Sequence, residues 1–173
     1  MHKRLFLSTF FLFLMAILGY TACIKDQCSG IVCKNGGVCV NGVCACPKGY
    51  EGTMCEKKWN DKYTGAWDAS DSIYKDNIIR FHYDITITNG ITKDSFFVVG
   101  LTDTVRDSTV VCVRTSAYGF SMIADKKLDS TLTIKSGSGT IDSITGYVSG
   151  KYVYQRKTPT IDTTVTVGFS WKK

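Results

Sequence analysis

The chain has 173 residues, eight of them cysteine, and carries 21 basic against 15 acidic residues for a net charge of +6. The basic residues are dispersed in small groups such as Lys57-Lys58, Arg156-Lys157 and Lys172-Lys173, so no basic stripe points to nucleic acid as a partner. No repeat period of about 20–50 residues marks a solenoid.

Residues 1–22 hold His2, Lys3 and Arg4 and then an apolar run over 5–18 interrupted only by Ser8 and Thr9. The run is shorter than the ~20 residues that span a bilayer and follows a basic flank, so it is expected to be a signal peptide. Secretion would place the remainder where disulfides persist. The run ends Leu18-Gly19-Tyr20-Thr21-Ala22-Cys23, which resembles a bacterial lipobox, with Tyr20 standing where an aliphatic residue is usual. That resemblance implies that Cys23 is lipidated and that the membrane is a partner through the anchor, since several acyl chains hold where one does not. Residues 23–27 form the spacer behind the anchor. Within it Ile24-Lys25-Asp26-Gln27 resembles the export signal of Bacteroidetes-type lipoproteins, which implies an outer-membrane or cell-surface location.

Six of the eight cysteines fall within residues 28–55. A stretch of about thirty residues buries too little apolar surface to fold alone, so disulfides must stand in for a core. Cys44 and Cys46 leave the same face of an extended chain and are poor partners for each other. Asn41-Gly42 between Val38-Cys39-Val40 and Val43-Cys44-Ala45 predicts a type I′ turn in a two-stranded hairpin. Zinc ligation would call for paired CxxC ligands or histidine, and the stretch has neither. The C-x-C of Cys44 and Cys46, the following Gly49-Tyr50 and the closing Cys55 resemble an epidermal-growth-factor-like (EGF-like) domain. The resemblance implies Cys28 with Cys39, Cys33 with Cys44, and Cys46 with Cys55. With one carboxylate before Cys28 and Asn41 used by the turn, the calcium site of some EGF-like domains is not expected.

Residues 56–62, EKKWNDK, are expected to be a polar linker, and a second domain to span residues 63–173. Its sequence has period two. Ile79, Phe81, Tyr83, Ile85 and Ile87 share one face, with Arg80, His82, Asp84, Thr86 and Thr88 on the other, and Asn89-Gly90 follows as a turn. The alternation recurs at Leu128, Leu132, Ile134 and at Val165, Val167, Phe169, Trp171. Ser136-Gly137-Ser138-Gly139 and Thr158-Pro159-Thr160 break it. The fold class is therefore mainly β: a small disulfide-rich EGF-like module followed by an antiparallel β-barrel or sandwich of about seven or eight strands. Gly65-Ala66-Trp67 is similar to the G-x-W that opens lipocalin-like barrels, although the arginine those barrels place on their last strand is missing between Ile161 and Trp171. Trp67 itself is expected in the core. Within Val110-Val111-Cys112-Val113, Cys112 behaves as a small buried hydrophobe.

His82 is the one histidine beyond the signal peptide, and Asp84 shares its strand face. No G-x-S-x-G elbow, no H-x-x-x-H and no Walker loop accompanies it, so neither enzymatic activity, a metal nor a cofactor is expected. Asp-Ser or Asp-Thr followed by a small or aliphatic residue recurs six times and resembles the acceptor motif of Bacteroidetes O-glycosylation. The implied acceptors are Ser72, Thr104, Ser108, Ser130, Ser143 and Thr163, while turn chemistry explains the same pairs without a sugar. The expected function is a lipid-anchored surface protein in which the EGF-like module is a base and the β domain binds an unidentified protein or glycan. The alternative is a lipocalin-like carrier of a small apolar ligand. An adhesive head would expose some of Tyr118, Phe120, Tyr147, Tyr152 and Tyr154, and a carrier would turn them into a cavity of at least ~300 Å³.

Overall fold

The computed structural model describes residues 26–73 and 79–173. The expected signal peptide, Cys23 and Ile24-Lys25 lie outside the described residues. The first sheet is a hairpin of β1 (Val38–Val40) and β2 (Val43–Ala45), with Cys39 opposite Cys44. Asn41 and Gly42 at φ 50° and 82° give the two positive dihedrals that a type I′ turn requires. Disulfides join Cys28 to Cys39, Cys33 to Cys44 and Cys46 to Cys55. Val38, Val40 and Val43 are 64%, 53% and 67% exposed, so cross-links rather than an apolar core hold this hairpin.

Residues 56–62 differ from the expected linker. β3 (Tyr50–Glu51) pairs with β4 (Lys57–Lys58), and a 3₁₀ turn over Trp59–Lys62 leads directly into the second domain. Trp59 donates its indole N–H to Tyr50 O and its backbone N–H to Gly49 O, both at 3.0 Å. Asn60 is buried and its amide nitrogen donates to Lys93 O at 2.9 Å and Ser95 O at 2.7 Å. Arg114 donates to Trp59 O at 2.8 Å, with its guanidinium 4.7 Å from the Tyr63 ring centroid. Lys62 pairs with Glu51 at 2.8 Å. A run of charged and amide side chains has the composition of a linker, yet these side chains satisfy backbone groups on both sides of a docked junction.

The second domain is a closed barrel of eight antiparallel strands in up-and-down order: β5 (Gly65–Ile73), β6 (Ile79–Asn89), β7 (Ser95–Val99), β8 (Thr109–Arg114), β9 (Gly119–Met122), β11 (Leu132–Ile141), β12 (Val148–Lys157) and β13 (Asp162–Lys172). β13 returns to pair with β5, and the two-residue β10 (Lys126–Lys127) extends the β9 side of β11. Closure removes the exposed sheet edges. The barrel resolves the choice between barrel and sandwich that the strand pattern leaves open.

Alternation on β6 places Tyr83, Ile85 and Ile87 inside, together with Trp67, Phe96, Phe120, Phe169 and Trp171. Trp67 donates its indole N–H to Tyr63 O at 2.6 Å, and Lys173, just beyond the span expected to lack a basic cover, lies 4.7 Å over its ring. The Ser136–Gly139 segment is a correction to the sequence reading: it is the middle of β11, not a turn. Gly139 faces Gly150 across the ladder, and a Cβ on Gly139 would come within 2.6 Å of the Phe120 ring and on Gly150 within 2.6 Å of the Phe169 ring. These glycines are space for neighbouring aromatic rings.

Candidate functional site

The two barrel ends differ. At one end the β6–β7 and β8–β9 turns meet the EGF-like side: Lys93 donates to Lys48 O at 3.2 Å, and Lys62 donates to Ala117 O at 3.1 Å. Beneath them Tyr63 stacks on Phe96 at 4.9 Å and Trp171 on Phe169 at 4.5 Å, which fills that end. At the opposite end the interior opens into a cup of about 290 Å³. Its walls come from Ile73, Phe81, Tyr152, Tyr154, Val165 and Val167, and the loop after β7 contributes Thr102 and Asp103.

Asp71, on β5, is 4% exposed and sits in the wall of this cup. Its Oδ2 lies 2.7 Å from the Tyr83 hydroxyl and 2.6 Å from the Tyr152 hydroxyl, and the Tyr83 oxygen is also 2.5 Å from Leu101 O. Tyr83 has one proton for two acceptors. An ionised Asp71 therefore leaves one of the three contacts without a hydrogen, whereas a protonated Asp71 donates to Tyr83, Tyr83 to Leu101 O and Tyr152 to Asp71. Burial raises the Asp71 pKa to about 6, with the two tyrosine hydrogen bonds opposing it. Burial likewise pushes both tyrosine hydroxyls up. Asp71 Oδ1 and Thr102 Oγ1 are buried without a hydrogen-bond partner. The bulge between β5 and β6 falls beside Asp71, where the pairing skips one residue of β6.

A second concavity, about 740 Å³ and more open, runs across the outer face of β5, β13, β12, β11 and β9. It is paved by small residues, among them Ser70, Ser138, Thr140, Ser149 and Ser170, with Gly168 leaving room between strands. At its margin Ser70 Oγ is 3.2 Å from His82 Nδ1, and His82 Nε2 is 3.0 Å from Asp68 Oδ1. The histidine partner expected from sequence, Asp84, is thus replaced by Asp68 of the adjacent strand. Ser, His and Asp are in contact, but His82 and Asp68 are well exposed and Ser70 sits in mid-strand, opposite His82 in the ladder. Its backbone does not form the paired N–H donors that a developing oxyanion needs.

Of the candidate O-glycosylation acceptors, Thr104, Ser130, Ser143 and Thr163 are exposed and Ser72 is half-buried. Ser108 is a correction: it is buried and donates to Val105 O at 2.7 Å, so the folded surface does not present it. Asp129 and Asp142 accept backbone N–H bonds from Leu132 and Thr145, at 2.6 and 2.7 Å, so turn chemistry accounts for those two pairs. Cys112 is a buried free thiol that burial pushes up. Among the aromatics that separate head from carrier, Tyr118 and Tyr147 are exposed, Phe120 and Tyr152 buried, and Tyr154 intermediate.

Residues 25–55 match the family model of the EGF-like domain. The module is EGF-like. A curated relative described as a neurogenic locus notch homolog protein, from Giardia intestinalis, is 31% identical over 72 residues, covering 40% of this chain. The chain spans 12% of that protein's length. A solved Bacteroides fragilis structure, described as a candidate outer membrane protein, overlaps 68% of this chain and 54% of its own at 18% identity and a TM-score of 0.38. The EGF-like match accounts for the first domain.

Proposed function

We propose that this is a secreted, surface-held binding protein in which the docked EGF-like module is a base and the open end of the barrel is the binding element. One observation carries the reading: among the described residues, the barrel is filled at the end facing the module and open at the other, where the cup holds buried oxygens with no partner. A cup of about 290 Å³ lies just below the ~300–1,000 Å³ typical of small-molecule sites, so it suits a small ligand. Tyr152 and Tyr154 in its wall and the unpartnered oxygens favour the lipocalin-like carrier alternative, while the exposed Tyr118 and Tyr147 are what a protein-binding or glycan-binding head would present. The outer trough supports the second reading, binding of a protein or glycan, because it is large, polar and accessible. Neither reading requires catalysis or a cofactor, and the exposed Ser70, His82 and Asp68 cluster is a solvated strand face in both.

Titrating small amphipathic fragments into ¹⁵N-labelled protein tests the choice. Amide shifts are expected at Thr102, Tyr152 and Val167. Shifts confined to Ser138, Ser149 and Ser170 would overturn the cup reading in favour of the trough. Location belongs to the same proposal, with Cys23 as the lipid-bearing residue behind the leader. Cys23→Ser is expected to move the protein from the membrane fraction to the soluble fraction without altering the barrel, and an unmodified native N-terminal peptide by mass spectrometry would refute the anchor.

A further inference from the structure

Among the polar residues that line the cup, Asp71 is the deeply buried acid, and no positive charge is paired with it among the described residues. Of the other charged groups of the lining, Asp103 pairs with Arg106 at 2.8 Å, while Arg156 is exposed and is not among the groups that shift Asp71. Asp71 Oδ2 is occupied by two tyrosine hydroxyls, while Oδ1 and the Oγ1 of Thr102, a residue lining the same cup, are each buried and unmet among the described residues. An unmet buried polar group is costly, so a ligand that supplies donors there recovers more than it would at a satisfied wall.

We propose that the cup is an amine site, taking a small molecule with an aromatic or branched apolar body whose protonated amine lies against Asp71 Oδ1 and Thr102 Oγ1. The proposal rests on the reading of the cup as the binding element. An ammonium carries three donors, enough for both orphan oxygens, and the aromatic side chains of Phe81, Tyr152 and Tyr154 favour a cation beside them. Ile73, Val165 and Val167 supply the apolar wall for the body. A carboxylate ligand would face Asp71 with like charge. A neutral alcohol donates one hydrogen and leaves the second oxygen unmet.

The groups in contact with Asp71 are Tyr83 from β6 and Tyr152 from β12, with Phe169 opposite on β13; Thr102 and Asp103 from the loop after β7 and Arg156 from β12 line the same cup, and Lys151 lies on the outer face. Asp103, in the same loop as Thr102, also raises the Tyr83 hydroxyl. An amine entering the protonated site displaces the acid proton to solvent and pairs with the carboxylate left behind. Amine affinity should therefore fall as the medium is acidified through the Asp71 titration.

The test is calorimetric titration of the full-length protein with 2-phenylethylamine, 2-phenylethanol and phenylacetate at pH 7.5 and 5.0. The amine is expected to bind at least about tenfold more tightly than the alcohol at pH 7.5 and to weaken by about tenfold at pH 5.0, with the alcohol unchanged. Asp71→Asn should abolish the amine preference and keep alcohol binding; the wild-type pH dependence decides the matter if that variant does not fold. Equal binding of amine and alcohol with no pH dependence would sink the amine assignment and leave the cup standing. Tighter binding of phenylacetate would also sink it. If none of the three probes binds, the cup reading itself falls.

Discussion

Reduction of the three disulfides is expected to unfold residues 28–55 while the barrel keeps its structure. The loops these bonds close are 11, 11 and 9 residues in sequence separation, and each contributes on the order of 2–4 kcal/mol. Little else opposes unfolding of the module, since the valines of its hairpin face solvent and the side chain of Cys55, fully buried, is itself half of a cross-link. The barrel has the opposite character, with Trp171, Tyr63, Tyr152, Phe96 and Phe120 almost wholly buried and a single cysteine that is already free. Amide exchange with and without reductant measures the difference. Protection should vanish over residues 28–55 and persist in β5–β13. Because the side chains of Trp59, Asn60 and Arg114 donate to backbone carbonyls across the junction, the boundary should fall at the 3₁₀ turn, with the Tyr63 amide, which donates to Asn60 O, still protected. Joint loss of protection in both parts would show that the junction makes them one cooperative unit.

Where local chemistry fixes the outcome, the sequence is sufficient. Asn41-Gly42 carries its own turn geometry and the alternation from Tyr83 to Ile87 carries the inward face of β6, while the disulfide pairing is legible through the resemblance of residues 28–55 to an EGF-like domain. The same alternation extends to Phe81, which is 50% exposed because it stands at the rim of the open end. Where the outcome depends on which strands become neighbours, sequence is silent. Gly137 and Gly139 resemble turn residues until the Met122 and Phe120 side chains that occupy their missing Cβ positions are known. His82 has a carboxylate two residues away in sequence, yet its partner comes from β5. Asp71 is hidden most thoroughly. In the chain it is one of seven acidic residues before a serine or threonine, whereas in the barrel it is met by hydroxyls 12 and 81 residues away. A lone acidic residue among the alternating positions of a strand is the signal that was available, and only closure of the barrel gives it partners.

Asp71→Asn should make the barrel's stability less sensitive to pH between about 4 and 7.5. The direction follows from linkage. The Asp71 pKa is raised in the folded protein to about 6, above the ordinary carboxylate value of the unfolded chain. The folded state therefore holds the proton more tightly, and its stabilising contribution is complete below the unfolded value and is lost as pH rises through about 6. A shift of about two units corresponds to about 3 kcal/mol. Asparagine keeps the size of the neutral acid and does not ionise, and with its amide nitrogen at the Oδ2 position it donates to both tyrosine hydroxyls, a set of hydrogen bonds that does not change with pH. Urea unfolding of both proteins should give a difference, variant minus wild type, that grows by about 3 kcal/mol in the variant's favour from pH 4 to pH 7.5. Glu56, Asp129 and Asp142, which backbone N–H groups hold below their usual range, act with the opposite sign but are common to both proteins and cancel. A difference that stays constant across this range would mean that Asp71 is ionised in the folded barrel at every pH tested, and the chain of donors from Tyr152 through Asp71 and Tyr83 to Leu101 would then have to be abandoned.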